Sequence, residues 1–221
     1  MTRVKICGIT TLEDALLAAR AGVDMLGFNF YRASPRAITP DACRAITDAL
    51  RRRLGRACPL LIGVFVNEPN ISGILFRAGL DYAQLHGDEN VAALAALDGK
   101  AFKTIRPRDR NEAWAMAEAF EPYAPLDDRV PSLLVDAFQS DRHGGSREQI
   151  ATGIALAVKE QVPRMMLGGG LTADNVGERI RAIRPWGVDV ASGVEGETKG
   201  RKDEAGLRAF LAAVKTADAA G

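Results

Sequence analysis

Residues 20–28 read RAGVDMLGF, and the phrase returns as RAGLDYAQL at 77–85 and PWGVDVASG at 185–193. In each copy a glycine suits a left-handed helix cap, an aspartate follows two residues later, and an apolar run opens. Gly22, Gly79 and Gly187 lie 57 and 108 residues apart. A chain of 221 residues divided into eight βα units allows roughly 28 residues per unit. The spacings are then two and four units, which puts the echo on strands two, four and eight of a closed barrel.

Working outward from these phrases, eight short apolar runs are found: VKIC (4–7), DMLGFNF (24–30), LLIGVFV (60–66), YAQL (82–85), AFKTI (101–105), SLLVD (132–136), RMMLG (164–168) and VDVAS (188–192). Several are apolar almost throughout, as strands buried on both faces read. Segments of helical period lie between them. The clearest spans 11–21, with Thr11 as N-cap and Leu12, Ala15, Leu16 and Ala19 on one face. Others are expected to start near Asp41, Asn70, Asp88, Asp109, Arg147, Thr172 and Lys202. The prediction is an α/β fold, a single (βα)8 or TIM barrel of eight parallel strands with an outer ring of helices. It forms one domain over 1–221, with residues 217–221 expected to fray.

The 29 basic and 28 acidic residues leave a net charge of +1, so no nucleic-acid partner is expected. Hydrophobic residues at 47% supply material for one core, and with aromatics at only 6% it must be filled by Ala, Val, Leu and Ile. No stretch approaches the roughly 18 apolar residues of a membrane span, and no secretory leader is read at the N-terminus. Cys7, Cys43 and Cys58 are an odd number without CxxC spacing, so a reducing, cytoplasmic setting is expected. His86 and His143 are too isolated for a metal centre. Neither a metal nor a cofactor is expected, because no GxGxxG joins a strand to a helix.

In a barrel of this kind catalytic groups stand at the C-terminal strand ends, whereas residues at strand starts serve stability. Asp24, Asp81 and Asp189 open apolar runs and read as structural. Asp136 closes one and is equally balanced between catalysis and helix capping. The same filter gathers Cys7, Asn29, Asn67, Gln84, His86, Gly169, Gly170, Ser192 and Gly193. A lone cysteine in an apolar strand is more often core filler, but Cys7 terminates its run and is followed by Gly8. The turns GGGL (168–171) and SGVE (192–195) fall after strands seven and eight, where backbone N–H groups of such barrels often hold phosphate. In the loop YRASPR (31–36), Arg32 or Arg36 offers a planar fork for a carboxylate, although an arginine there is more often simply solvated.

Taken in order, VKICGIT, GFNFYRASPR, GVFVN, QLHGDE, GGL and GVDVASGVE resemble the phosphoribosylanthranilate isomerase family over almost the whole chain, from Val4 to about Asp203. The resemblance implies Cys7 as general base and Asp136 as general acid. It implies Arg36 on the anthranilate carboxylate, Gln84 and His86 lining the mouth, and Gly169, Gly170, Ser192 and Gly193 on the phosphate. The implied reaction is an Amadori rearrangement in tryptophan biosynthesis, without a cofactor, on a small phosphorylated aminosugar. The protein is expected to be a monomer or homodimer. One departure is the stretch HGGSREQIATGI from His143, where Arg147 replaces the last glycine of the family's usual Gly-Gly-Thr/Ser-Gly and the following Phe-Asp-Trp is missing. Two other readings stay open: a related isomerase of another aminosugar phosphate, and a silent barrel that only binds a sugar phosphate. A pure binder needs neither Cys7 nor Asp136.

Overall fold

The computed structural model describes residues 1–137 and 149–220. Eight strands, β1 (Arg3–Cys7), β2 (Met25–Asn29), β3 (Leu60–Phe65), β4 (Tyr82–Leu85), β5 (Ala101–Ile105), β6 (Leu133–Val135), β7 (Met165–Leu167) and β8 (Gly187–Val190), pair in sequence order. All pairings are parallel, and β8 closes on β1 through Arg3↔Gly187 and Lys5↔Asp189. The predicted barrel is what forms. Its helices are α1 (Leu12–Arg20), α2 (Pro40–Leu54), α3 (Ile71–Ala78), α4 (Val91–Ala95), α5 (Arg110–Phe120), α6 (Thr152–Lys159), α7 (Val176–Ile183) and α8 (Glu204–Ala219).

Local chemistry sets where these helices begin. Thr11 accepts from the Asp14 N–H at 3.2 Å, Asn90 from Ala93 at 3.0 Å, Asp109 from Glu112 at 2.9 Å and Thr39 from Ala42 at 3.3 Å, each satisfying a donor the first helical turn leaves open. Helix α6 runs from Thr152 without a side-chain cap, and its expected start near Arg147 lies outside the described residues. The segment from residue 217, where fraying is expected, continues α8 to Ala219. Ala217 is buried on α8, and the Asp218 carboxylate accepts from the N–H and hydroxyl of Thr2 at 2.8 and 2.6 Å.

Alternation along the strands separates an apolar cluster inside the barrel from those packed under the helices. Ile6, Leu26, Phe28, Leu61, Val135, Leu167 and Val188 belong to the layer shared with the helices. Met25, Ile62, Tyr82, Phe102, Leu134 and Met166 pack with Trp186 in a second cluster, which seals the lower barrel interior.

The aspartates of the echo part company here. Asp24 accepts from the Val4 N–H at 2.8 Å and pairs with Arg3, and Asp81 accepts from Leu61 at 2.8 Å and pairs with Arg51, so both cap strand starts as expected. Asp189 does not. It lies inside the barrel with its Oδ1 2.9 Å from Lys5 Nζ. The cause is a register offset: Gly22 and Gly79 precede their strands with φ of +87° and +66°, whereas Gly187 is already the first residue of β8. Arg184 takes the left-handed position instead, at φ +50°, since Pro185 after it disfavours continuing the helix.

Candidate active site

Parallel strands that point the same way deliver their last residues to one rim. Cys7 ends β1, Asn29 ends β2, His86 follows β4, Arg106 follows β5, Asp136 follows β6, Gly169 and Gly170 follow β7, and Ser192 and Gly193 follow β8. The strand-end filter therefore collects one ring. Two of its members serve other ends. Asn67 joins loops, its Oδ1 accepting from the Asp88 N–H at 2.8 Å, and Gln84 lies a layer below the rim, 1% exposed.

Asp136 is buried, with Oδ1 accepting from the Ala137 N–H at 2.8 Å and Oδ2 3.8 Å from His86 Nε2. Burial pushes its carboxyl up to about 6, against the downward pull of the Ala137 N–H; the nearby Asp189 adds to the rise, and Arg106 and Lys5 oppose it. His86 is held from below. Its Nδ1 is 3.3 Å from both Thr104 Oγ1 and Gln84 Nε2, while Gln84 Nε2 also donates to Thr104 Oγ1 at 3.0 Å. Gln84 Oε1 has no hydrogen-bond partner among the described residues. Arg106 Nη2 donates to the His86 carbonyl at 3.0 Å.

Cys7 sits over Lys5. Burial pushes its thiol up; the Lys5 ammonium pulls it back down, Asp189 works with burial, and Lys202 works with Lys5. Lys202 itself is buried, its Nζ donating to the Ala191 carbonyl and to Glu195 Oε1, both at 3.0 Å.

Arg36 is not a solvated surface residue. It is 9% exposed, with Nε and Nη2 donating to the two Glu195 oxygens at 2.6 and 2.7 Å. Burial alone would raise the Glu195 carboxyl, but Arg36 and Lys202 hold it below the usual range. The loop carrying Arg36 is folded on itself: Asn29 Oδ1 accepts from Tyr31 at 2.8 Å and Ser34 Oγ from the Arg36 N–H at 3.1 Å. Sequence reading missed Glu195 as the anchor of Arg36, because nothing local connects residues 159 positions apart.

Gly169 and Gly170 adopt φ of +83° and +61°, a consecutive left-handed pair that side-chain-bearing residues resist. Asn175, also missed, fixes this turn by donating to the Gly170 carbonyl and accepting from the Thr172 N–H, both at 2.9 Å. Among the described residues no backbone acceptor takes the N–H of Gly169 or Gly170. Ser192 and Gly193 open a 3-10 turn, so their N–H groups precede its first internal bond. A Cβ on Gly193 would run into the Leu171 carbonyl oxygen, so the two turns touch backbone to backbone. Residues 143–148 of the divergent loop lie outside the described residues. Among the described residues no group of three metal-ligating side chains occurs, and no helix is long and apolar enough to cross a membrane.

Comparison with known proteins bears on this geometry. Residues 4–213 match the family model of N-(5'phosphoribosyl)anthranilate (PRA) isomerase. A protein of that name from Pelobacter propionicus is 41% identical over 217 residues, covering 97% of this chain and 96% of its own. The crystal structure of phosphoribosyl anthranilate isomerase from Thermotoga maritima is similar at a TM-score of 0.83 with 31% identity, covering 98% of this chain and all of that one. Monomers generated from that dimeric enzyme give 0.81 with 30% identity at the same coverage. A further isomerase structure, in complex with reduced 1-(o-carboxyphenylamino)-1-deoxyribulose 5-phosphate, gives 0.80 with 31% identity, again at 98% and 100% coverage.

Proposed function

The chain belongs to the N-(5'phosphoribosyl)anthranilate isomerase family, and on that premise we propose how its residues divide the work. The reaction is the Amadori rearrangement of N-(5'-phosphoribosyl)anthranilate to 1-(2-carboxyphenylamino)-1-deoxyribulose 5-phosphate in tryptophan biosynthesis. The substrate is a phosphoribosyl derivative of an aromatic amine, which corrects the looser expectation of an aminosugar.

In the proposal Asp136 protonates the ribose ring oxygen, the C1–O bond breaks, and the anilino nitrogen lone pair forms an iminium. The Cys7 thiolate then removes the C2 proton. The C–H electron pair moves into the iminium to give an enolamine, which tautomerises to the ketone. The iminium is its own electron sink, so the chemistry calls for no cofactor. The observation that carries the reading is a buried carboxyl at about 6 on the same rim as a thiol beside a lysine. At pH 7 a carboxyl of that kind is about one-tenth protonated, against roughly one part in a thousand for an ordinary one.

Gly169, Gly170, Ser192 and Gly193 hold the phosphate through their N–H groups in this proposal, supported by the two touching turns. Arg36, fixed by Glu195, faces the anthranilate carboxylate. His86 lines the mouth, with Gln84 supporting it from beneath. A homodimer, after the dimeric Thermotoga relative, and a cytoplasmic setting are parts of the same proposal.

The test generates phosphoribosylanthranilate in situ and follows its fluorescence. Purified protein should abolish the signal, and Cys7→Ala should do so about 10²- to 10⁴-fold more slowly. Near-normal turnover by that variant removes Cys7 from the role of base.

A further inference from the structure

Lys5 is a buried charge to which the reaction above gives no task. It lies two residues before Cys7 on β1, so both side chains enter the barrel, and it is completely buried. Its Nζ is 2.9 Å from Asp189 Oδ1, and the Cys7 thiol lies close enough to feel its charge. On the neighbouring strand a Cβ at Gly27 would sit 3.0 Å from both Cys7 Sγ and Lys5 Nζ. The missing side chain on β2 is what lets ammonium and sulfur share one space.

Stability is a poor reason for this arrangement. Desolvating an ion pair often costs more than the pair regains, and apolar residues of similar volume serve as well or better. The cluster beside it, from Met25, which pairs with Lys5 in register, to Met166, is filled in that apolar way. The ion pair instead lies where the interior turns from packing to chemistry.

We propose that Lys5, anchored by Asp189, is a positioning residue for the reaction: its ammonium holds the Cys7 sulfur from below and stabilises the thiolate that receives the substrate's C2 proton. The inference rests on the reading of Cys7 as the base. Lys5 keeps its three protons throughout, and Cys7 alternates between thiolate and thiol. Cys7 also faces Lys202 from the segment before α8, Asp189 from β8 and the Arg36 guanidinium from the loop after β2. Of the cations, Lys5 acts on the thiol most strongly.

The experiment titrates the single remaining thiol by its ultraviolet thiolate absorbance in a Cys43→Ala, Cys58→Ala background. Lys5→Met should raise the Cys7 midpoint by about one unit or more, a tenfold loss of thiolate at fixed pH. The ascending limb of the kcat profile should move by the same amount, with KM nearly unchanged. Lys5→Met/Asp189→Leu replaces the pair by apolar groups and tests the point in a packed interior if the single variant fails to fold. A folded variant whose Cys7 titrates at the parent midpoint overturns the inference. Failure of the base reading looks different: Cys7→Ala then turns over normally, while the thiol midpoint still answers to Lys5.

Discussion

Replacing Asp136 by Asn is expected to abolish turnover and at the same time make the protein more stable. The carboxyl titrates at about 6 in the fold against an ordinary 3.8, and a difference of two units corresponds to about 3 kcal/mol. The sign follows from proton uptake. Between those two values the folded state holds a proton that the unfolded state has released, so stability falls as pH rises through the window. Below about pH 4 both states are protonated and nothing is lost; above about pH 7 the full cost of about 3 kcal/mol is present. Asparagine is neutral throughout and can still accept the Ala137 N–H bond through its amide oxygen, so it escapes this cost. Urea unfolding of both proteins at a series of pH values, followed by tryptophan fluorescence, reads the difference. The variant should gain almost nothing near pH 4 and increase its advantage by up to about 1.4 kcal/mol per pH unit before levelling off. A stability gap that stays constant with pH would refute the claim that burial holds this carboxyl protonated. Turnover should fall about 10²- to 10⁴-fold at every pH, because an amide cannot serve as the acid.

Two further substitutions separate the rim from the base of the barrel. Gly8→Ala places a Cβ against the Arg36 side chain at a backbone φ of +77°, so it should cost about 1–3 kcal/mol and raise KM as Arg36 is displaced, measurable by unfolding and steady-state kinetics. Asp81→Ala removes the acceptor of the Leu61 N–H and the partner of Arg51; it should cost about 1–3 kcal/mol in the same unfolding assay while kcat stays at the parent value.

Most of the barrel was legible because its evidence is local. An apolar run bounded by a glycine turn is visible within ten residues, and strand ends read from the sequence place Cys7, Asp136, Gly169 and Ser192 on one rim. What was not legible is long-range. The Lys5–Asp189 pair joins residues 184 positions apart and the Arg36–Glu195 fork residues 159 apart. The third echo misled for a related reason: its phrase is the same, but β8 starts at the glycine itself. That offset moves Asp189 from a strand start into the interior, and only the pairing Lys5↔Asp189 reveals it.

The seam between β1 and β8 also makes the two ends of the barrel depend on each other. Lys5 meets Asp189, Thr10 meets the Gly200 carbonyl, Arg36 meets Glu195 and Thr2 meets Asp218. Each of these bonds pairs one of the first 36 residues with one beyond residue 188. The cations of the early segment therefore find these carboxylates only in the last part of the barrel. A chain stopped before β8 would have to bury Lys5 and Arg36 unpaired to close, which costs several kcal/mol per charge. Closing the rim and docking the last strand are therefore energetically coupled.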